Sequence, residues 1–326
     1  MSTKENFVTV LDYRFLPQLL TLYKSMNLHV RHYVLWVVCV DSKLVNALKT
    51  LGYDNIRILD LRMFETAELK KVRLERRAGE YCWTLTPFAP DFVFQIESTL
   101  SRVTYIDADM WFRKPPTVIF EEFEASGKSV LITDHGYTPE GDRSSVSGQF
   151  CVQFIVFNRN GSELVRRDWE AKCIDWCFAR VESGKFGDQK YLDEWPIKFP
   201  DIVHIVRDKE LFFAPWSSLR FPYGNSVCCH FHGLRLTNRK TLYIGDYAIP
   251  KVVWECVYKP YIGEICEVID GLGLLSMDVL PQRESGGFLR RALHLTKRLL
   301  FALSNRSILP GGMEISMRKK IFSRGV

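Results

Sequence analysis

Short apolar runs alternate with helix-patterned segments from the amino terminus onward, and this alternation limits the folds open to the chain more than any other feature. NFVTVL at 6–11 predicts a first strand, and the apolar spacing over about 15–28 predicts a helix. YVLWVVCV at 33–40 predicts a second, buried strand, SKLVNALKTLG at 42–52 a helix closed by Gly52, and IRIL at 56–59 a third strand. Strand, helix, strand, helix, strand predicts parallel pairing with right-handed crossovers, an α/β layer of the nucleotide-binding kind. Such sheets bind ligands beyond the carboxyl ends of their strands, the edge at which Asp12 and Tyr13 fall after the first strand.

Residues 103–114, VTYIDADMWFRK, carry two aspartates one residue apart, Asp107 and Asp109, at the end of another apolar strand and just before Pro115 and Pro116. Where pairing ends, carboxylates at i and i+2 can both turn toward one cation, and the small Ala108 between them leaves the backbone room to curl. Hard divalent ions such as Mg²⁺ and Mn²⁺ take oxygen ligands and commonly share them with substrate phosphates. The pair therefore predicts a metal-bound diphosphate, although short acidic pairs also occur at strand ends that bind nothing.

Farther along, KSVLIT at 128–133 and QFCVQFIVF at 149–157 predict two more strands. Val165, Trp169, Cys173, Trp176 and Val181 then follow at helical spacing, predicting one long helix with its aromatic residues in the core. In GKFGDQKYLDEWP, Asp188 and Gln189 open a short helix, where they can cap it or carry chemistry. SVCCHFHG at 226–233 predicts a late strand with His230 and His232 on one side. A histidine beside two carboxylates suits Mn²⁺ better than Mg²⁺.

With 47% hydrophobic and 25% charged residues, a chain of 326 residues is ordinary for a globular protein and long enough for one large domain with an extension. It has no apolar stretch of about 18 residues, and MSTKENFVTV lacks the basic and apolar regions of a secretory signal, so a cytoplasmic location is expected. Nine cysteines without a CxxC pair fit a reducing compartment and buried thiols. Zinc held by Cys173 with Cys177, or by Cys228 and Cys229 with the neighbouring histidine, is the alternative reading of those positions.

Basic charge is concentrated at the carboxyl end. From Phe288 onward nine Lys or Arg face one acid, Glu314, whereas the whole chain is only +6, so the remainder is weakly acidic. A boundary near 272 therefore separates a body, 1–272, from a basic amphipathic extension, 273–326. Over 288–303, Leu289, Ala292, Leu293, Leu299, Leu300 and Leu303 share one helical face, and Arg290, Arg291, His294, Lys297 and Arg298 share the other. That pattern fits a helix in an anionic membrane interface, peripheral on its inner face, or one docked on the protein's own core with a solvated basic side. No nucleic-acid motif accompanies the basic patch, and no nucleic-acid partner is expected.

Taken in order, NFVTVL, YCWTLTP, YIDAD, FGDQKYL and HFHG resemble the retaining glycosyltransferases of family 8, a family that includes glycogenin and lipopolysaccharide galactosyltransferases. The resemblance spans about 6–240. YCWTLTP, GKFGDQKYLDEWP and the FAPW segment look like a bacterial subgroup of nucleotide-sugar transferases. It implies a GT-A fold, α/β with a mixed, mainly parallel central sheet flanked by helices and a Rossmann-like nucleotide-binding half. It also implies a nucleotide diphosphate sugar, usually UDP-linked, bound through Mn²⁺ (or Mg²⁺).

Carried over by residue, Asp107 and Asp109 would bind the metal with His230, and Asp107, Ala108 and Asp109 would face the donor. Phe7, Thr9, Leu11 and Asp12 match the strand and loop that hold the base, with Tyr13 beside them. Asp188 and Gln189 match the Asp-Gln pair near the anomeric carbon, and Arg77, or its neighbours Arg73 and Arg76, would serve the diphosphate. Two departures stand out. Cys151 and Gln153 occupy the place of an Asn-x-Gly, which bears on the identity of the sugar, and the Lys-Pro-Trp after HFHG is absent, leaving Arg235 or Lys240 for the phosphates.

The resemblance implies hexose transfer with retention, either by attack from the face the diphosphate leaves or through a side-chain nucleophile. A cytoplasmic enzyme resting on a membrane would meet a glycan or lipid-linked acceptor, such as growing lipopolysaccharide or capsule. The alternatives are a noncatalytic nucleotide-sugar binding protein and a metal-dependent nucleotide-sugar hydrolase or nucleotidyltransferase.

Overall fold

The two most apolar runs of the amino-terminal half form neighbouring parallel strands in the computed structural model, which describes residues 4–219, 225–282, 308–309 and 311–317. The basic helix expected over 288–303 lies outside the described residues. In chain order the first strands are β1 (Glu5–Leu11), β2 (Tyr33–Cys39), β3 (Ile56–Asp60), β4 (Arg102–Ile106), β5 (Met110–Phe112), β6 (Val130–Asp134), β7 (Phe150–Asn158) and β8 (Val203–Ile205). There follow β9 (Phe212–Phe213), β10 (Cys228–His230), β11 (Arg235–Asn238), β12 (Thr241–Tyr243), β13 (Ile249–Pro250), β14 (Ile308–Leu309) and β15 (Glu314–Ser316). Two compact units divide the chain: Met1–Tyr13, Met26–Ala108 and Pro115–Lys209 form one, and Arg14–Ser25, Asp109–Lys114 and Glu210–Val326 the other.

The first unit holds a seven-stranded sheet in the order β3-β2-β1-β4-β7-β6-β8. β7 runs against both its neighbours and every other pairing is parallel. Between β2 and β3 the expected helix forms over Ser42–Leu51: the Asp41 carboxylate accepts from the Leu44 N–H, and Gly52, at φ 62°, closes the other end in the left-handed conformation. A residue with a side chain is strained there.

One face of the sheet, with Val8, Val10, Trp36, Val38, Val103, Tyr105, Ile155 and Phe157, is covered by apolar residues of the helices Ala67–Glu75, Ala78–Leu85, Ala89–Ile96 and Glu163–Asp175. Trp169 packs edge-on to Trp195 with ring centroids 5.3 Å apart, and both meet Phe157. Burying each such side chain is worth roughly 3 kcal/mol. The reading of Trp169 as a core residue agrees with this packing.

The long helix itself is shorter than its apolar spacing predicts. It ends at Asp175, Trp176 is extended at φ −152°, and Val181 is exposed beyond it. The cause lies far away in the chain. The buried Arg76 guanidinium donates to the carbonyls of Cys173 and Ile174, each at 2.7 Å, and bonds the Thr84 hydroxyl as well. Those carbonyls would accept from residues 177 and 178 if the helix continued. Glu80 completes the stop by accepting from the Ala179 N–H at 2.9 Å.

In the second unit, β5 and β10 pair antiparallel with His230 opposite Met110, and β9 pairs parallel with β10. β11, β12 and β15 form a second small sheet, and β13 pairs with β14. Strands at 308–309 and 314–316, inside the segment read as an extension, are thus part of this unit. Gly311 fits only because it lacks a side chain, since a Cβ there would collide with the Asp246 carbonyl. The boundary expected at 272 falls inside the helix Lys259–Leu274, which is entered through a π-helical turn over Trp254–Tyr258. Among the described residues no helix is long and apolar enough to cross a membrane.

Candidate metal and donor site

β1 and β4 are parallel neighbours, so their carboxyl ends bring Asp12 and Asp107 to the same edge of the sheet. Asp107 is fixed there from two sides. Its N–H donates to the Gln153 carbonyl of β7 at 3.1 Å, and its Oδ1 accepts from the Tyr105 hydroxyl at 2.9 Å. The sequence motifs give Tyr105 no role, though strand alternation puts it on the side of the residue two positions later.

Asp109 is 6% exposed and lies between His230 and Arg235. His230 Nε2 lies 3.2 Å from its Oδ1, and Arg235 Nη1 donates to its Oδ2 at 3.0 Å. Burial alone would raise the Asp109 carboxyl, but the charges of His230, Arg235 and His232 and the His230 hydrogen bond hold it far below the usual carboxylate range. Arg235 is braced by the Phe15 ring 4.8 Å away and by the Leu234 carbonyl. Trp216, from the FAPW segment, packs edge-on against His230 at 5.5 Å and against the exposed His232 at 5.4 Å.

One oxygen of Asp107, one oxygen of Asp109 and a ring nitrogen of His230 all lie within 4.8 Å of one another, the one such group among the described residues. Two carboxylates and an imidazole form a borderline-hard donor set suited to Mn²⁺ or Mg²⁺. Donors sharing one such ion stand about 3–4 Å apart for bonds near 2.1 Å, so the residues fit a divalent cation with small adjustments. The four cysteines considered for zinc are buried free thiols, and none belongs to this group.

Asp188 is also buried, and its main-chain carbonyl is held by the Trp169 indole N–H at 2.8 Å, tying it to the core. Its side chain makes no capping bond to the short helical turn Gln189–Glu194 that it precedes. Burial and the negative charge of Asp107 push its carboxyl well above the usual range, against the Thr86 hydroxyl beside it. Two carboxyl groups, Asp109 held ionised and Asp188 held toward neutrality, are thereby set apart by their surroundings. Gln189 donates from Nε2 to the Ser147 carbonyl at 2.7 Å. Thr86 belongs to YCWTLTP, where no local pattern marks it as a neighbour of Asp188.

The remaining expected residues are spread more widely. Phe7 and Thr9 are wholly buried inside β1, Phe7 against Phe120 and Phe154, so from this strand the end at Leu11 and Asp12 reaches the edge. Tyr13 is buried, donates from its N–H to Asp41 at 2.8 Å and has the Lys43 ammonium over its ring at 4.5 Å. Ala108 is buried between the two aspartates. Of the three arginines, Arg76 clamps the helix end described above and Arg73 pairs with Glu65 at 3.0 Å. Arg77 is exposed at the start of Ala78–Leu85, its N–H donating to Glu80. Lys240 is exposed in the turn between β11 and β12.

Sheet order and strand-end cluster together define a glycosyltransferase-like fold of the GT-A class with a candidate Asp-Asp-His metal site. The structure is similar to that of the apo-form glycosyltransferase GlyE of Streptococcus pneumoniae TIGR4, with a TM-score of 0.50 and 15% identity. That match covers 86% of this chain and 65% of GlyE. No family model matches the chain. Among curated proteins it is 26% identical over 288 residues to YfnD of Bacillus subtilis (strain 168), an uncharacterized protein, covering 81% of this chain and 90% of YfnD. It is 29% identical over 209 residues to YfnF of the same strain, also uncharacterized, covering 61% of this chain and 68% of YfnF.

Proposed function

We propose that the chain is a metal-dependent glycosyltransferase that moves a hexose from a nucleotide diphosphate sugar, UDP-linked, to a glycan or lipid-linked acceptor with retention. The observation that carries this reading is the convergence of Asp107, Asp109 and His230 at a strand-end edge of a GT-A-like fold. Asp107, Asp109 and His230 would hold Mn²⁺. Bound there, the cation supplies positive charge against that of the departing diphosphate. Arg235, already within reach of Asp109, offers a planar guanidinium to phosphate oxygens.

Asp188 and Gln189 line the sugar side in this reading. Burial pushes the Asp188 carboxyl up and makes it a weaker nucleophile, which favours attack by the acceptor hydroxyl from the face the diphosphate leaves. The new carbon–oxygen bond forms as the bond to the diphosphate breaks, and the hydroxyl proton passes to the leaving phosphate oxygen. A lipid-linked acceptor, of the lipopolysaccharide or capsule class, accords with the basic stretch at 288–303, which would rest on an anionic membrane surface.

Calorimetric titration with UDP, GDP, CDP and ADP, with Mn²⁺ and then with chelator, tests the donor class. The expected result is Mn²⁺-dependent binding of UDP that disappears in Asp109→Ala. Binding that ignores the chelator would sink the metal assignment, and absence of binding for all four nucleotides would sink the transferase reading. Consumption of the sugar nucleotide at the same rate without any acceptor would favour a hydrolase.

A further inference from the structure

Two large aromatic residues stand beside two of the proposed metal ligands. Phe231 directly follows His230, and Trp111 lies two positions after Asp109. The strands that carry them are short. β5 and β10 are three residues each, paired through Cys228↔Phe112, Cys229↔Trp111 and His230↔Met110, with the two-residue β9 on the other side of β10 and the Phe231 N–H donating to the Asp109 carbonyl at 3.0 Å. Strand pairs this short do not hold a geometry unaided.

Their rings are gripped by one helical face. Phe231 lies flat on Tyr261, centroids 3.6 Å apart and planes 7° from parallel, and meets Tyr258 edge-on at 5.2 Å. Trp111 is edge-on to both Phe231 and Tyr261, at 6.3 Å and 6.1 Å, and its indole N–H donates to Glu264 at 3.0 Å. Tyr258, Tyr261 and Glu264 are spaced by three and so share a face of the helix that runs to Leu274. None of the three touches the reacting groups in the proposed reaction.

We infer that this face, Tyr258, Tyr261 and Glu264, is a positioning device that sets Asp109 and His230 at the spacing a divalent cation requires. The inference rests on the metal reading above. Ligand distances tolerate only about ±0.2 Å, and changes to groups that orient ligands typically cost 10–100-fold in metal affinity. The rings, not the hydroxyls, carry the effect: the Tyr258 and Tyr261 hydroxyls are buried without a hydrogen-bond partner among the described residues.

Mn²⁺ affinity of the full chain by calorimetry, together with the visible spectrum of the Co²⁺-loaded protein, tests this. Tyr261→Leu is expected to weaken Mn²⁺ binding about tenfold or more and to alter the Co²⁺ bands, whereas Tyr261→Phe restores both to wild type. Glu264→Ala changes a half-buried residue and frees the Trp111 indole, so it keeps the question open to test if Tyr261→Leu does not fold. It should weaken Mn²⁺ binding several-fold in a protein that still folds, at a somewhat lower melting temperature because the indole N–H loses its partner. Folded Tyr261→Leu or Glu264→Ala protein with wild-type affinity and spectrum overturns the positioning role alone. A wild-type chain that binds neither Mn²⁺ nor Mg²⁺ overturns the metal reading and this inference with it.

Discussion

Asp107, Asp109 and Asp188 are chemically alike, and their surroundings separate them. Asp109 is ionised because His230 and Arg235 outweigh the burial that opposes its charge, whereas burial and Asp107 drive Asp188 toward the neutral acid. Asn matches the shape of a neutral Asp188, so Asp188→Asn should fold normally and keep donor affinity. Turnover should fall about a hundredfold, the usual loss for one group aimed at developing charge. Steady-state kinetics beside calorimetry would check this, and an unchanged rate would remove Asp188 from the reaction. The acidic pair and both histidines were legible because a strand-end pattern marks them. Thr86 and Trp216 were not, because what matters about each is a neighbour far off in the chain that no local spacing reveals, whereas Tyr105 lies within reach of strand alternation.

Among the elements, the helix Glu163–Asp175 shows where periodicity misleads. Its apolar spacing runs on to Val181, yet Arg76 takes the carbonyls that the next turn needs. This stop lets the chain turn back toward Trp169, whose indole holds Asp188. Arg76→Ala should therefore cost about 2–4 kcal/mol, by stranding buried carbonyls and a hydroxyl. Urea denaturation measures that loss, and a stability within about 0.5 kcal/mol of wild type would mean that water satisfies the same groups. Turnover is expected to fall too, since the segment that carries Asp188 begins at this helix end.

On the scale of the whole molecule, the extension is not a detachable tail. β14 and β15 pair with β13 and β12, and Gly311 sits against the backbone at Asp246, so cutting the chain at 288 would strip strands from the second unit. Charge reversal is the cleaner test of the proposed membrane role. Replacing Arg290, Arg291, Lys297 and Arg298 with Glu removes about 1 kcal/mol of attraction per site and adds repulsion. The variant should no longer sediment with vesicles rich in anionic lipid, while nucleotide binding stays as in wild type. Sedimentation equal to wild type would count against that role.

The sequence by itself determined the strand and helix alternation, the parallel amino-terminal half, the buried character of Trp169 and the strand-end place of Asp107 and Asp109. These are local properties, set by side-chain period and by where an apolar run stops. Only the tertiary structure decided where the helix at Glu163 ends, which residues steady Asp109 and His230, and in which direction each buried carboxyl is pushed. Each of those depends on burial and charge summed over residues far apart in the chain, as Arg76 is from Cys173 and Tyr261 from Trp111.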